Sequence, residues 1–160
     1  MNLDRKDRGQ MAEDAFREGY NCCQAVVAAF SDRIGLPLEF AVKLVSGFGA
    51  GMGRLREVCG AVSGMTFVAN ALCGYGDPKA TEEKAAHYAR IQKLAEKFRE
   101  ETGSIVCREL LGLPAGAVSV STPEKRTADY YKKRPCPKLV RLAAEILAEE
   151  FYMSRMFWAP

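Results

Sequence analysis

The strongest constraint on the fold is one stretch, Gly47–Cys73, with the sequence GFGAGMGRLREVCGAVSGMTFVANALC. It begins with a bend in which every second residue is glycine, and these glycines allow left-handed backbone or a close approach by another segment. From Val58 to Gly76 the chain carries no charged residue. A membrane span needs roughly 20 mostly apolar residues, and this run is interrupted by glycine, serine, threonine and asparagine. We therefore predict a buried central helix, from near Arg56 to Leu72, around which the other segments pack.

The remaining chain also has helical patterns, because its apolar residues recur with helical spacing and several segments begin with good capping residues. We find no alternating strand pattern of useful length and no internal repeat. The sequence predicts an all-α fold, a single-domain irregular bundle of about six or seven helices over residues 1–160. The predicted helices besides the central one are 4–17, 22–34, 38–45, 81–101, 105–111, 122–133 and a last helix from residue 135.

Composition excludes some functions. The net charge of +3 is small, and no basic segment interleaved with aromatic residues is present, so we predict no nucleic-acid partner. The N-terminal residues MNLDRKDRGQ lack an apolar signal segment, and we predict no membrane span. These features favour a cytoplasmic protein. Structural disulfides are rare in that compartment, so its six cysteines indicate metal binding, redox chemistry or simple burial.

Four cysteines share one local context, because each is predicted in the first turn of a helix. There the free N–H groups and the helix dipole favour an anion. Arg54 and Arg56 precede the second of these cysteines, and basic residues adjoin the third and fourth, which also lowers a thiol pKa. We predict that these four residues converge on one site as catalytic thiols or metal ligands: Cys22, Cys59, Cys107 and Cys136.

The other two cysteines are weaker candidates. Cys73 follows Cys59 by fourteen residues on the same predicted helix, which places it about 21 Å along the axis, too far for a shared metal. We expect Cys73 to be a small buried residue. Cys23 lies on the apolar face of its helix and reads as core, although a pair formed by Cys22 and Cys23 would add a thiol to the site.

The spacing of the cysteines excludes common zinc modules, because the chain has no C-x-x-C motif and only one histidine, His87. A site made from these thiols must be closed by tertiary packing of several helices. We expect His87 to be a surface or hydrogen-bonded residue. The motif GFGAGMG suggests a phosphate cradle, but it follows a predicted helix, has the wrong glycine order and lacks the P-loop lysine. Close backbone packing around the site is the favoured interpretation of these glycines.

The ordered motifs GYNCCQAVVAAF, SGFGAGMGRLREVCGAVSG and GSIVCRELLG, followed by Cys136 ahead of LVRLAAEIL, resemble the four-cysteine family named C_GCAxxG_C_C. The resemblance extends roughly from Ala15 to Leu147 and implies a redox-active protein with a CGAxxG motif. The family cysteines fall on the four positions already selected. In the family pattern Cys23 takes the place of a small residue.

Two versions of a redox function follow. The four thiolates bind an iron–sulfur cluster or zinc, or they cycle between dithiol and disulfide with a redox partner protein. The metal version is slightly favoured, because several thiolates repel one another unless a cation compensates. Either version fits an oxidoreductase or an electron-transfer protein. The alternative is a small helical interaction protein with cysteines as core packing, forming a homodimer through its apolar C-terminal segment, FYMSRMFWAP.

Overall fold

The computed structural model describes residues 4–153, with the side chain of Met153 left out. Within this range the regular secondary structure is helical, and the backbone forms no β-strand beyond one isolated β-bridge. The predicted all-α fold is confirmed, and among the described residues one short helical segment, Gly49–Met52, was not predicted from the sequence. The α-helices are α1 Arg5–Glu18, α2 Cys22–Ala28, α3 Leu38–Leu44, α4 Gly49–Met52, α5 Gly60–Cys73, α6 Thr81–Thr102, α7 Cys107–Leu110, α8 Ala128–Lys133 and α9 Cys136–Met153. A single 3-10 turn, Ser46–Phe48, precedes α4, and residues 50–52 of α4 have left-handed backbone and not the right-handed conformation of an ordinary α-helix.

The helices share one hydrophobic core. The long helix α9 packs against α1, α2, α5 and α6, and α5 packs against α2, α6 and α9. Helix α5 is the predicted central helix, and half of its residues are buried: Gly60, Ala61, Val62, Gly64, Met65, Val68 and Ala69. Large side chains from other segments belong to the same core, among them Phe16, Phe30, Phe98, Leu147 and Phe151.

The first helix begins and ends where the sequence predicted, and the second begins where predicted but ends at Ala28, six residues before the predicted end, because residues 29–35 form turns. Gly19 ends α1 in the left-handed region, with φ of 119°. Asn21 caps α2, because its side chain accepts from the N–H groups of Cys23 and Gln24, and Gln24 bonds back to the Asn21 N–H. This capping box fixes the first turn of α2, and it thereby fixes the position of Cys22.

Two predicted helix starts are wrong by four residues or more, and α7 begins at Cys107, two residues after its predicted start. Helix α5 begins at Gly60 and not near Arg56, because the residues before it form left-handed backbone and the Cys59 N–H donates outside the helix, to Ile105 O at 2.8 Å. Helix α8 begins after Thr127, whose hydroxyl accepts from the Tyr130 N–H, and not after Thr122. Residues 123–127 form no helix, and Arg126 in this stretch donates to Phe16 O and Tyr20 O.

The described helices do not include one that is long and apolar enough to cross a membrane. The C-terminal segment proposed for dimer formation starts in α9, where Phe151 is buried in the core. The rest of that segment, residues 154–160, lies outside the described residues. The predicted homodimer contact therefore stays a prediction.

Candidate functional site

The glycine-rich bend forms an unusual left-handed turn. Residues 50–54 all have positive φ: Ala50 56°, Gly51 70°, Met52 67°, Gly53 58° and Arg54 70°. Left-handed backbone costs roughly 1–2 kcal/mol for each residue with a side chain, so the surrounding contacts must hold this turn in place. Hydrogen bonds within it run from Gly53 N to Gly49 O and from Glu57 N to Gly51 O, both at 3.0 Å. The turn directs the Ala50 N–H toward the Cys22 Sγ, at 3.4 Å.

Two glycines of the bend, Gly49 and Gly51, are required by close packing. A Cβ on Gly49 would lie 2.3 Å from the Asn21 Cγ, and a Cβ on Gly51 would lie 2.7 Å from the Cys107 Cβ. These glycines therefore bring the bend against the start of α2 and the start of α7. This contact agrees with the packing interpretation of the GFGAGMG motif and gives no support to the phosphate cradle.

A short pairing of extended backbone sets Cys59 beside Cys107. The Cys59 N–H donates to Ile105 O at 2.8 Å and the Cys107 N–H donates to Glu57 O at 2.6 Å, on either side of an isolated antiparallel bridge between Val58 and Val106. Successive residues of extended backbone point to opposite sides. Cys59 and Cys107 thus share one side of this pairing, which faces the core.

All four predicted cysteines line one cavity of about 70 Å³, called here the thiol cavity. Each begins a helix, as the sequence predicted: Cys22, Cys107 and Cys136 are the first residues of α2, α7 and α9, and Cys59 is the N-cap of α5. The first three in chain order are buried, the last is half-buried, and all four are free thiols. The rest of the lining is Phe16, Asn21, Ala50, Arg56, Gly60, Leu110, Leu111, Arg126, Tyr130, Arg134 and Leu139.

The expected lowering of the thiol pKa is wrong for three of these cysteines. Burial raises the pKa of Cys22 and Cys59, and it raises the pKa of Cys136 to about 12. The negative charges of the neighbouring thiolates raise these values further, and this influence connects all six pairs among the four residues. Hydrogen bonds from the Ala50 N–H to Cys22 and from the Ala61 N–H to Cys59 oppose the shift in part. The increase in thiol pKa caused by desolvation is larger than the decrease caused by the helix N-terminus, so these three thiols are protonated at neutral pH.

Three guanidinium groups line the thiol cavity. Arg56 is almost fully buried, and its Nη1 lies 3.9 Å from the Cys107 Sγ. This arginine was expected beside Cys59 from its sequence position. Arg126 and Arg134 flank Tyr130, with each guanidinium carbon 5.0 Å from the centroid of its ring. Arg126 and Tyr130 were not predicted as site residues, because their local sequence carries no motif and only the tertiary fold brings them to the cavity.

The remaining candidates lie away from the thiol cavity. Cys73 is at the end of α5 and its Sγ donates to Ala69 O at 3.1 Å, so it does not join the site. Cys23 is fully buried in the core and does not line the cavity. His87 is buried and its Nε2 lies 2.6 Å from the Asn70 Oδ1. In residues 4–153 no group of three histidine, cysteine, aspartate or glutamate side chains has an arrangement that could hold a metal ion.

The two glycines of the CGAxxG motif let α5 lie directly on α2. A Cβ on Gly60 would lie 2.3 Å from the Cys22 Sγ and 3.1 Å from Phe48 O, and a Cβ on Gly64 would lie 2.8 Å from the Val26 Cβ. The absence of a side chain at Gly60 therefore allows the Cys22 thiol to lie close against the start of α5.

We expect Gly60→Ala to destabilise the protein by about 1–3 kcal/mol, measured by denaturant unfolding, because overpacking of the core outweighs the better helix propensity of alanine. The control is Gly47→Ala, since a Cβ there meets no atom within 4 Å. A Gly60→Ala protein as stable as the control would contradict this packing argument.

Comparisons with known proteins agree with the resemblance found in the sequence. The sequence profile of a family described as "Putative redox-active protein (C_GCAxxG_C_C)" matches residues 20–150, a range that contains all four cysteines of the thiol cavity. No curated protein and no solved structure gives a significant match to the chain. The family match covers most of the chain, and the protein therefore belongs to the C_GCAxxG_C_C family.

Proposed function

We propose that the protein is a redox protein in which Cys22, Cys59, Cys107 and Cys136 act together as one centre. The observation that carries this proposal is that four free thiols, from four separate segments of the chain, line a single cavity. The negative charges of neighbouring cavity thiolates, which add to the effect of burial in raising the pKa of Cys22, Cys59 and Cys136, are consistent with this arrangement. The family description supports the redox character of the centre.

The version of this function that the surroundings favour is dithiol–disulfide exchange with a disulfide-bearing partner. One thiol loses its proton and attacks a sulfur of the partner disulfide, which forms a mixed disulfide and releases one partner thiolate. A second thiol of the centre loses its proton and displaces the other partner sulfur. The centre ends as a disulfide and the partner as a dithiol, so two electrons and two protons have moved to the partner.

Arginine side chains provide the charge balance that this exchange needs. The attacking species is a thiolate, and burial holds the thiol pKa of Cys22, Cys59 and Cys136 above its usual range. Arg56 is the guanidinium nearest to a thiol of the cavity, with its Nη1 at 3.9 Å from the Cys107 Sγ. A thiolate at Cys107 would therefore face a buried cation, which makes Cys107 the favoured attacking residue.

The metal version rests on the donor set alone. Four cysteine sulfurs suit an iron–sulfur cluster or zinc, and Cys22, Cys59, Cys107 and Cys136 are the residues that would hold it. The described residues do not present three ligands in a metal-binding arrangement. The guanidinium groups also supply the positive charge for which a metal was invoked. We therefore assign no step of the reaction to a metal.

The proposal is tested by oxidising the reduced, full-length protein and mapping its disulfides by mass spectrometry. We expect each disulfide to lower the mass by two hydrogens and to join cysteines of the thiol cavity. Cys59→Ser and Cys107→Ser should each reduce the yield of such a disulfide at least tenfold. Cys73→Ser is the matched control, because Cys73 lies outside the cavity, and it should behave like the wild type.

Anaerobic purification with metal analysis separates the two versions. Metal-free protein without absorbance above the aromatic band, with disulfides restricted to the cavity cysteines, is the expected result. Bound metal that is lost in Cys59→Ser but kept in Cys73→Ser would favour the metal version. Equal oxidation of Cys73 and the cavity cysteines, in metal-free protein, would contradict the proposal of a shared centre.

A further inference from the structure

The thiol cavity has a lining with an unbalanced charge. Three arginines, Arg56, Arg126 and Arg134, contribute to its wall, and the described residues that line it include no aspartate or glutamate. Apart from Asn21 and Tyr130, the remaining lining residues are apolar or carry thiols. A cavity that combines guanidinium groups with an absence of carboxylates is suited to a negatively charged occupant.

Arg56 is the most informative of the three. It is 5% exposed, and no carboxylate in residues 4–153 lies within ion-pair distance of it. Its Nε donates to the Ser119 Oγ at 3.0 Å, and its Nη1 faces the Cys107 Sγ. A guanidinium has five N–H donors, so this set of partners leaves donor capacity toward the cavity. The pKa of Glu124 is lowered by its hydrogen bond with Arg134 and also by the charge of Arg56, so this carboxylate compensates Arg56 in part, although it pairs with Arg134. A buried cation without an ion-pair partner of its own is costly unless an anion is bound beside it.

The other two guanidiniums are held rigidly at the cavity wall. Arg126 donates to Phe16 O and Tyr20 O, at 3.2 and 3.3 Å, and stacks on the Phe16 ring at 4.2 Å. No carboxylate among the described residues pairs with it. Arg134 pairs with Glu124 through one nitrogen and stacks on Tyr130. Both side chains are therefore positioned by contacts that leave further N–H groups for a ligand.

We propose that the thiol cavity binds a small inorganic oxyanion through the guanidiniums of Arg56, Arg126 and Arg134. This inference extends the proposed function, because it names the class of small molecule that would bind beside the thiols. Any reaction of that molecule with the thiols depends on the proposed redox function. Guanidinium forks match the oxygen atoms of such anions, and each N–H···O contact is charge-assisted. The cysteines then lie beside the bound anion.

The size of the cavity restricts the ligand. A volume of about 70 Å³ corresponds to several water-sized groups, at about 10–15 Å³ each, which suits an anion of four or five heavy atoms. An organic anion such as glutathione is far larger than this space. The surrounding Phe16, Leu110 and Leu139 offer it no polar partners within the cavity.

The experiment is isothermal titration calorimetry, in which sodium sulfate or sodium phosphate is added to the reduced, full-length protein. Sodium chloride keeps the ionic strength constant. We expect saturable binding of one oxyanion per chain. Arg126→Gln and Arg134→Gln should each weaken it at least tenfold. Arg141→Gln is the matched control, because it also removes one positive charge, from an arginine that pairs with Glu13 outside the thiol cavity.

A second readout does not depend on the arginine variants. Bound sulfate should slow the alkylation of Cys107 and Cys136 by iodoacetamide at least threefold, and it should leave the rate at Cys73 unchanged. Peptide mapping by mass spectrometry measures all three rates in one sample.

Several results would overturn the inference: no saturable binding, equal weakening in Arg141→Gln, or binding of glutathione in preference to both oxyanions. Disulfide mapping on the same preparations separates this failure from failure of the proposed function. Cavity disulfides without oxyanion binding would leave the redox proposal standing and remove this one. Oxyanion binding without cavity disulfides would support the oxyanion site and contradict the redox proposal.

Discussion

Gly51→Ala is expected to lower the free energy of unfolding by about 2–4 kcal/mol, one of the two largest effects of a single substitution that we predict here. Two costs add at this position. The residue has φ of +70°, which an alanine side chain disfavours, and its Cβ would lie 2.7 Å from the Glu57 N and 2.8 Å from the Arg56 Cα. Backbone atoms cannot rotate away as a side chain can. Denaturant unfolding, followed by circular dichroism, measures the change.

The matched control for this prediction is Gly53→Ala. Gly53 belongs to the same left-handed turn, with φ of +58°, but the nearest atom to an added Cβ is Gly47 O at 3.9 Å. Its loss should therefore be the conformational cost alone, roughly 1–2 kcal/mol. Equal losses in the two variants would show that close packing against the start of α7 does not hold the turn.

Gly51→Ala should also impair the thiol centre, because the added Cβ would lie 2.7 Å from the Cys107 Cβ. We expect the yield of cavity disulfide to fall in this variant and to stay near the wild-type level in Gly53→Ala, when both are assayed well below their unfolding transitions. A normal yield in folded Gly51→Ala would contradict the role given to this glycine in positioning Cys107.

Asp32→Ala is expected to destabilise the protein by about 3 kcal/mol, because it removes the carboxylate that neutralises a buried cation. The Arg8 side chain is fully buried, and its two terminal nitrogens donate to the Asp32 carboxylate at 2.6 and 2.9 Å. Arg8 also donates to Ala29 O and lies over the Phe30 ring, so it ties α1 to the end of α2. Thermal or denaturant unfolding of the variant measures the loss.

The same ion pair predicts a dependence of stability on pH. Hydrogen bonds from Arg8 hold the pKa of the Asp32 carboxyl below its usual range. The unfolded chain then binds this proton more tightly than the folded protein does. The stabilisation is therefore complete above about pH 4 and is lost as the pH falls through the pKa of the folded state. In Asp32→Ala this part of the acid sensitivity should disappear.

Asp129→Ala is the matched control for Asp32→Ala. Asp129 pairs with Lys133 at 2.8 Å on an exposed face of α8, and both side chains are mostly solvated. Its removal should cost less than 1 kcal/mol, because exposed ion pairs contribute about 0–1 kcal/mol. Comparable losses in the two aspartate variants would contradict the argument from burial of Arg8.

The sequence was sufficient for much of the local structure. The Asn21 cap, the Gly19 stop and the uncharged run of α5 each depend on interactions within a few residues, and all three were found as predicted. The placement of the four cysteines at helix N-termini followed from the same local signals. The wrong start of α8 shows the limit of that approach, because the stretch before Thr127 contains Arg126, whose hydrogen bonds go to Phe16 and Tyr20, residues that are distant in the sequence.

The thiol pKa values show a second limit. A local argument from the helix dipole and from basic neighbours predicted lowered values, and the structure raises them at Cys22, Cys59 and Cys136. The dipole is a property of the first turn, which the sequence displays. Desolvation is a property of everything packed around the thiol, which the sequence does not display. Burial is the larger of the two effects at this site.

By itself, the sequence determined the family, the all-α fold, the buried central helix and the identity of the four cysteines at helix starts. Only the tertiary structure decided that these thiols line one cavity, that Arg56 meets Cys107, and that Arg126 and Tyr130 belong to the same wall. The physical reason is the range of the interactions. Caps, helix periodicity and glycine freedom act over a few residues, whereas desolvation and charge balance depend on segments that meet only in the folded chain.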